Sequence, residues 1–474
     1  MKRRVFVKNM AWLTGGLLAY RTINARELSG NRSIKGAVLS GKKGLKDVVV
    51  SDGYSVVVTD KKGKYEFIAH PDAVSIFISV PAGYEFIHEK GISRHYRQFQ
   101  NGNWGSEVNF ELARLNKNDD EHQFIIWADP QVKNAADVQK MMQESVPDVQ
   151  KIISAAGADT LIHGITVGDI VWDEPELYTE YNKAVAQMKI PFFQCLGNHD
   201  MDYNKGGDES SDDTFQKTYG PTYYSFNRGR VHYVVMDNVR YLGKDKEYDG
   251  YIQQNQLDWL QKDLSFVPKE KLIVLCLHIP VHSGTKNREA LYALLQERNV
   301  HIMSGHTHYL VNAIQGNIYE HNHGTVCGAW WTGPICEDGT PCGFGVYKVK
   351  GTELSWHYQS TGKTADHQMK IYSSDHSPSE KQVVVNIWNH DPAWKTEYWL
   401  DGVNKGALES FEGFDPLAYT NMFGPDLPKS RTFAEPKKTK HLFKTVIPSS
   451  VKEIKVVATD RFGKQYAEIH KPVA

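Results

Sequence analysis

Five apolar runs in the middle of this chain each end in a short cluster of Asp, Asn, Gln or His residues. Such runs are typical of buried strands, and the clusters are typical of loops at the carboxyl ends of strands. These polar side chains bind metals or move protons, and they contribute little to packing. In chain order the clusters contain Asp129 and Gln131, Gly168-Asp169, Gly197-Asn198-His199-Asp200, His278, and Gly305-His306-Thr307-His308. Their repetition predicts one shared functional site.

Segments with helical periodicity lie between these strand-like runs. Helices are predicted over residues 134–156, with an interruption at Pro147, and over residues 177–188 and 257–264. Strands that alternate with helices favour a layered α/β core.

The ordered clusters resemble the calcineurin-like metallophosphoesterase superfamily. Its pattern is Asp-x-His, Gly-Asp, Gly-Asn-His-Asp/Glu, a lone His, and then Gly-His-x-His. The resemblance implies an α/β fold in which a β-sandwich core is flanked by helices, with the site at the strand ends. Each motif alone is more often a turn or a buried core histidine, but the complete set in order is specific.

The resemblance also implies a pair of metal ions, divalent or trivalent, that activate a bridging hydroxide for attack on a phosphate ester. It assigns Asp129, Gln131, Asp169 and His308 to the first ion. It assigns Asp169, Asn198, His278 and His306 to the second, so that Asp169 bridges the two. Mn, Fe, Zn and Mg remain open as the metals.

Gln131 departs from the usual pattern, which has His at this position. A neutral amide oxygen is a harder and weaker ligand than imidazole, so the first site favours Mn²⁺, Mg²⁺ or Fe over Zn²⁺. Some members of the superfamily have Asp-Pro-Gln here, as in Asp129-Pro130-Gln131. We therefore do not interpret Gln131 as a loss of function.

His199 and Asp200 are the predicted catalytic residues. By the resemblance, His199 is free of metal and acts on the phosphoryl group or the leaving oxygen, while Asp200 holds its imidazole. Asp173 is interpreted as the cap of a helix near Pro175, with a hydrogen bond to a ligand's outer nitrogen as the alternative. Three further residues are candidates for substrate binding: His323, Trp330 and Trp331, of which the two Trp residues form either an apolar wall or a packed core pair.

The amino terminus has the features of an export signal. A basic segment with paired arginines, residues 2–8, precedes an apolar run at 10–20 that is shorter than the roughly 18–20 residues needed to cross a bilayer. It resembles a twin-arginine signal. We predict a signal peptide over residues 1–25, no transmembrane segment, and a periplasmic or extracellular location in a bacterium; an amphipathic first helix is the alternative.

A chain of 474 residues predicts several domains. We expect a small N-terminal β-sandwich over residues 33–115, similar to transthyretin-like or regulatory-like domains, since residues 59–65 form a typical turn and strand. The catalytic domain is expected over 121–365 and a C-terminal β domain over 380–474. The net charge of -1 gives no general attraction to nucleic acid.

The five cysteines are too few for a disulfide scaffold. Cys195 and Cys276 lie in strand-like runs and are expected in the core. Cys336 and Cys342 flank a turn and could pair in an oxidising compartment, which the sequence leaves open.

Together these features predict an exported phosphoesterase that uses two metals and acts on phosphate monoesters or diesters. The alternative is a non-catalytic protein that binds glycan or another surface with the phosphoesterase domain as scaffold. Aromatic residues of the C-terminal domain, Trp388, Trp394, Tyr398 and Trp399, would then contact sugar. The ester class, the metals and the oligomeric state are not encoded in the motifs.

Overall fold

The computed structural model describes residues 33–99, 107–423 and 434–472. The predicted signal peptide, residues 1–25, lies outside these ranges. No helix within them combines the length and the apolar character required to span a bilayer.

The amino-terminal region is built of short strands. They are β1 (Ser33–Ser40), β2 (Lys43–Gly44), β3 (Val49–Ser51), β4 (Val56–Val58), β5 (Lys64–Ile68), β6 (Ser75–Ile78), β7 (His88–Glu89), β8 (Ile92–Ser93), β9 (Tyr96–Gln98) and β10 (Phe110–Glu111). One sheet has the order β10-β1-β2, with β5 also paired to β1, and the other has the order β4-β3-β6-β9.

The central region contains the strands of two larger sheets. They are β11 (Glu121–Trp127), β12 (Leu161–Val167), β13 (Phe192–Cys195), β14 (Tyr224–Arg228), β15 (Val231–Val235), β16 (Val239–Tyr241), β17 (Tyr248–Gly250), β18 (Leu272–Cys276), β19 (Val300–Ser304), β20 (Val311–Gln315), β21 (Ile318–Asn322), β22 (Gly343–Lys350) and β23 (Glu353–Ser360). The seven-stranded sheet has the order β23-β22-β11-β12-β13-β8-β7, and the six-stranded sheet has the order β14-β15-β18-β19-β21-β20. Strands β16 and β17 form a separate hairpin.

Helices cover these sheets, as predicted. They are α1 (Ala135–Ala156), α2 (Tyr178–Met188), α3 (Asp213–Tyr219), α4 (Gln254–Leu264), α5 (Arg288–Leu295) and, in the carboxy-terminal region, α6 (Pro416–Met422). Along β11, Phe124 and Ile126 pack between the sheets, whereas Ile125 and Trp127 pack with α1 and α2, because neighbouring side chains of a strand face opposite sides. Helix α1 continues through Pro147, where an interruption was predicted.

The polar clusters meet because their strands run in parallel. Strands β11, β12 and β13 are parallel in one sheet, and β15, β18 and β19 are parallel in the other. The five clusters follow β11, β12, β13, β18 and β19 directly, so they share one end of the sandwich. This end carries the candidate site.

The amino-terminal region is joined to the central core. Strand β8 pairs with β13 through Ile92 and Phe192, so the β7–β8 hairpin extends the seven-stranded sheet. The ring of Phe77 lies 6.2 Å from that of Trp259 on α4. The sequence did not predict this sheet extension, because strands of two residues have no detectable periodicity.

The carboxy-terminal region is a second β domain, as predicted. Its strands are β24 (Met369–Ser377), β25 (Glu380–Ile387), β26 (Lys395–Leu400), β27 (Val403–Ala407), β28 (Glu409–Phe414), β29 (Lys438–Pro448), β30 (Ile454–Thr459) and β31 (Gln465–His470). They form two four-stranded sheets, β24-β25-β29-β28 and β27-β26-β30-β31.

All five cysteines are free thiols in the structure. Cys195 and Cys276 are fully buried in β13 and β18, as expected. Cys336 and Cys342 remain separate, and the Cys342 thiol contacts the carbonyl of Gly333.

Candidate metal centre

Five of the seven predicted metal ligands have a left-handed backbone conformation. The angle φ is 46° at Asp129, 39° at Gln131, 50° at Asp169, 72° at His306 and 54° at His308. A residue with a side chain in such a conformation carries a strain of about 1–3 kcal/mol, and these conformations concentrate at functional sites. The sharp turns that follow the strands are therefore a feature of this centre.

Two motif glycines allow the loops to approach each other closely. A Cβ atom at Gly197 would lie 2.0 Å from the backbone nitrogen of Asp169. A Cβ atom at Gly168 would lie 2.4 Å from Nδ1 of His278. Any larger residue would separate the loops that carry the predicted ligands.

The four residues predicted to bind the second ion lie together. Nε2 of His278 is 3.2 Å from Oδ1 of Asp169, 3.1 Å from Oδ1 of Asn198 and 3.2 Å from Nδ1 of His306. Among the described residues, Asp169, His278 and His306 are the group of His, Cys, Asp or Glu side chains close enough to hold a metal ion. Nδ1 of His278 donates to the carbonyl of Val167, which turns Nε2 toward the group.

The residues predicted to bind the first ion adjoin this group. Nε2 of His308 lies 3.6 Å from Oδ1 of Asp129, and the amide nitrogen of Gln131 donates to Oδ2 of Asp169 at 2.6 Å. Nε2 of His308 and Oε1 of Gln131 are both buried and have no hydrogen-bond partner among the described residues. A buried polar atom without a partner is costly. These two atoms therefore fit the donor set of a metal ion.

The charges of the centre favour a bound cation. Burial raises the pKa of Asp129, the charge of His278 lowers it, and the charge of Asp169 raises it again. Burial lowers the pKa of His306 to about 3 and that of His308 to about 4, so both imidazoles are neutral and have lone pairs for a metal. Burial lowers the pKa of His278, but the charge of Asp169 outweighs burial and raises it to about 9. Without a metal, this imidazole therefore carries positive charge beside the two buried carboxylates, where a metal cation would replace its proton.

His199 is held on two sides. Its Nδ1 donates to Oδ1 of Asp173 at 2.7 Å, and the ring of Trp172 stacks on its imidazole with centroids 4.3 Å apart. Burial lowers the pKa of His199, but the charge of Asp169 and the bond to Asp173 outweigh burial and raise it. The side chain of His199 is partly exposed, which suits a group that acts on substrate.

The predicted pairing of Asp200 with His199 is wrong. Asp200 is fully buried, and its carboxylate accepts hydrogen bonds from the backbone N–H groups of Ile170, Val171 and Gly197. The short turn Asn198–Asp200 directs the Asp200 side chain back toward the start of its own loop. Asp200 therefore joins the loops that follow β12 and β13 and does not orient the imidazole.

The predicted capping role of Asp173 is also wrong, since the turn at Pro175 has no side-chain cap. Besides His199, Asp173 binds Lys246 through its second oxygen. Lys246 was missed because it lies in the polar link between β16 and β17, where nothing in the sequence marks it. The sequence also did not predict that Trp172 stacks on His199, although Trp172 directly precedes Asp173 and follows the Gly-Asp motif.

The three predicted substrate-binding residues have other contacts. His323 is buried, with Nδ1 donating to the carbonyl of Ser304 and Nε2 accepting from the hydroxyl of Tyr347. The prediction that His323 binds substrate is therefore wrong. Trp330 stacks on His308 with centroids 4.2 Å apart. Trp331 donates from its indole nitrogen to the carbonyl of Pro130. The two Trp side chains thus pack against the loops of the metal centre.

Comparison with protein families gives three matches along the chain. Residues 120–310 match calcineurin-like phosphoesterase. Residues 32–115 match the N terminal of calcineurin-like phosphoesterase, and residues 320–466 match its C terminal.

The chain is also similar to individual proteins. It is 26% identical over 160 residues to a protein named probable glycerophosphodiester phosphodiesterase GpdQ from Arcobacter nitrofigilis, a match that spans 30% of this chain and 55% of that protein. Purple acid phosphatase PPD1 from yellow lupin has a TM-score of 0.37 and 12% identity over 72% of this chain and 67% of its own. The 5'-nucleotidase from Candida albicans has a TM-score of 0.29 and 13% identity over 52% and 51%.

The three family matches are in the expected order and together span most of the chain. Their central match contains all seven predicted metal ligands. This chain therefore belongs to the calcineurin-like phosphoesterases.

Proposed function

We propose that the protein is an exported phosphodiesterase that uses two metal ions. The observation that carries the dinuclear centre is the position of Asp169 between the two ligand sets. Its Oδ1 lies 3.2 Å from Nε2 of His278, and its Oδ2 accepts a hydrogen bond from the amide of Gln131. A carboxylate with one oxygen toward each set is suited to bridge two ions.

When bound, the two ions supply charge neutralisation and activation of water for ester hydrolysis. The chain supplies the remaining groups. Because Nδ1 of His199 is bound to Asp173, Nε2 is left to bind a phosphoryl oxygen or to protonate the leaving oxygen. Asp173 fixes the tautomer and orientation of that imidazole.

The ligand set favours Mn²⁺, Mg²⁺ or Fe in the first site. Gln131 provides an amide oxygen at the position where most members of the superfamily have a His, whose imidazole would favour zinc. Asp129 adds a carboxylate oxygen to the same ligand set. The other side chains of this set, Asp169 and His308, suit any of these ions.

The charges around His199 favour a diester as substrate. A phosphate monoester carries nearly two negative charges near neutral pH, whereas a diester carries one. Lys246 pairs with Asp173, whose carboxylate balances its charge, and Lys133 lies over the ring of Trp172, with its ammonium nitrogen 4.9 Å from the ring centroid. The Arcobacter relative is named a probable glycerophosphodiester phosphodiesterase, which agrees with a diester.

The test compares hydrolysis of bis-para-nitrophenyl phosphate and para-nitrophenyl phosphate by protein stripped of metal and reloaded with Mn²⁺. We expect kcat/KM to be at least about 10-fold higher for the diester. The Asp169→Asn protein should lose both activities, and Asp159→Asn, at an exposed carboxylate, should keep them. A higher value for the monoester would overturn the diester assignment. No hydrolysis of either ester by wild-type protein reloaded in turn with Mn²⁺, Mg²⁺, Fe²⁺ and Zn²⁺ would overturn the proposed function.

Export is proposed from residues 2–20 alone. Replacing the paired arginines, Arg3→Lys with Arg4→Lys, should leave the protein inside the cell if a twin-arginine system carries it. Fractionation of the bacterium measures this directly, and unchanged export of the variant would contradict the proposal.

The alternative of a glycan-binding scaffold has less support. Trp388 and Trp394 are only 1% and 8% exposed, which places them in the interior of the carboxy-terminal region. A side chain that contacts sugar needs an exposed face, so these two aromatics are not available to a glycan.

A further inference from the structure

The loop of residues 325–342, between β21 and β22, supports the predicted first-metal ligand His308. The carbonyl of Gly328 accepts a hydrogen bond from Nδ1 of His308 at 2.7 Å, which leaves Nε2 for the metal. Trp330 of the same loop stacks on the imidazole. The backbone N–H of Val326 donates to the carbonyl of Ala128, the residue before Asp129. The position of this loop thus determines the position of His308.

A buried carboxylate in this loop also holds the chain that follows His308. Asp338 is fully buried, and its Oδ2 accepts from the backbone N–H of Leu310 at 2.8 Å. The backbone N–H of Glu337 donates to the carbonyl of His308 itself. His308 is therefore fixed to the 325–342 loop through its side chain and through its backbone.

The carboxy-terminal region holds Asp338 in place. The imidazole of His441 on β29 lies between two acceptors, with Nε2 3.0 Å from Oδ2 of Asp338 and Nδ1 2.7 Å from Oδ1 of Asn386. The amide nitrogen of Asn386, on β25, donates to the carbonyl of Asp338 and to the carboxylate of Asp415. All four side chains are buried. Each ring nitrogen of His441 faces an acceptor, so the imidazole bridges the two domains.

Apolar contacts strengthen the same junction. Ala329 and Ile335 of the 325–342 loop form one buried cluster with Ala418 and Met422 of α6. The polar bridge lies beside this cluster, since Asp415 caps the start of α6. Both contacts attach the loop to the carboxy-terminal region.

We propose that His441 is a positioning residue of the first metal site and that the carboxy-terminal region completes this site through Asp338. The proposal rests on the proposed dinuclear centre. Without His441, the Asp338 carboxylate and the Asn386 carbonyl oxygen lose their buried imidazole partner, which is unfavourable until the loop moves. A shift of the loop displaces His308, whereas His278 and Asn198 of the second ligand set are carried by other loops, those that follow β18 and β13. Loss of a ligand's own hydrogen-bond partner typically weakens metal binding 10–100-fold, and this sets the scale expected if the Gly328 carbonyl moves away from His308.

The test measures Mn²⁺ binding by calorimetry and by metal analysis after gel filtration. His441→Phe keeps a ring but removes both ring nitrogens, and His441→Asn is a milder variant whose shorter side chain cannot reach both partners. His470→Phe is the matched control, because His470 lies in the same region and binds Ser373 away from the loop. We expect both His441 variants to bind one ion as tightly as wild type and the other about 10–100-fold more weakly. Hydrolysis should then recover at high Mn²⁺.

Two results would overturn the proposal. One is binding of both ions with wild-type affinity by the His441 variants. The other is an equal loss of affinity for both ions in the His441 variants, together with a lower unfolding midpoint of the metal-free protein. That result would show that His441 has a purely structural role. Failure of the proposed function is distinct from both results, because the wild-type protein itself would then bind fewer than two ions or hydrolyse no ester.

Discussion

The carboxylate of Asp173 accepts a hydrogen bond from Nδ1 of His199 at 2.7 Å, and these residues come from the loops that follow two neighbouring strands. Asp173 precedes the turn at Pro175, and His199 lies between the predicted ligand Asn198 and the buried Asp200. Because Trp172 stacks on the same imidazole, the orientation of His199 is set from two directions.

Asp173→Asn should lower kcat about 10–100-fold, because the amide no longer stabilises the His199 ring in one orientation and charge state. KM and the metal content should change little, since among the described residues Asp173 reaches the predicted ligands only indirectly, through His199 and through Tyr203, whose hydroxyl donates to the backbone carbonyl of Asn198. Steady-state kinetics and metal analysis of the purified variant measure both quantities. Asp159→Asn serves as the control. A fall in metal content that matches the fall in kcat would contradict the assignment.

Asp200→Asn should destabilise the metal-free protein by roughly 2–4 kcal/mol, because one side of the amide presents N–H groups to the backbone donors of Ile170 and Gly197. Urea unfolding monitored by fluorescence measures this free energy. If Asp200 oriented His199 as the sequence suggested, the variant would instead keep its stability and lose kcat.

The contrast between Asp173 and Asp200 shows what the sequence could predict. The strand ends and the order of the clusters are local patterns, so the positions of the predicted ligands followed from them. The hydrogen-bond partner of His199 could not be predicted from local patterns, because it depends on how two loops pack against each other. Asp200 follows His199 directly and was predicted to orient its imidazole. The turn Asn198–Asp200 instead directs the Asp200 carboxylate toward backbone N–H groups of Ile170, Val171 and Gly197.

Contacts between residues far apart in the chain could not be predicted from the sequence for the same reason. Lys246 reaches Asp173 from 73 residues away, and His441 reaches Asp338 from 103 residues away. His323 follows the last motif and was a reasonable candidate, but the pairing of β19 with β21 places it in the interior beside Tyr347. A histidine near a motif can thus be a core residue whose hydrogen bonds are all satisfied.

Gln131→His should change the metal preference of the first site. Imidazole is a softer and stronger ligand than an amide oxygen, so the affinity for Zn²⁺ relative to Mn²⁺ should rise by about 10-fold or more. Competition between the two ions, followed by metal analysis, measures the ratio. An unchanged ratio would show that the side chain at position 131 is not a ligand. Gln187→His, at an exposed site on α2, controls for adventitious zinc binding.

The most direct test of the account is the number of ions bound per chain by wild type and by Asp169→Asn after reloading with Mn²⁺ and gel filtration. We predict two ions for the wild-type protein and at most one for the variant, with diester hydrolysis lost in the variant, because one carboxylate serves both ligand sets. Two ions in both proteins, or a single ion in an active wild-type enzyme, would contradict the bridging role of Asp169.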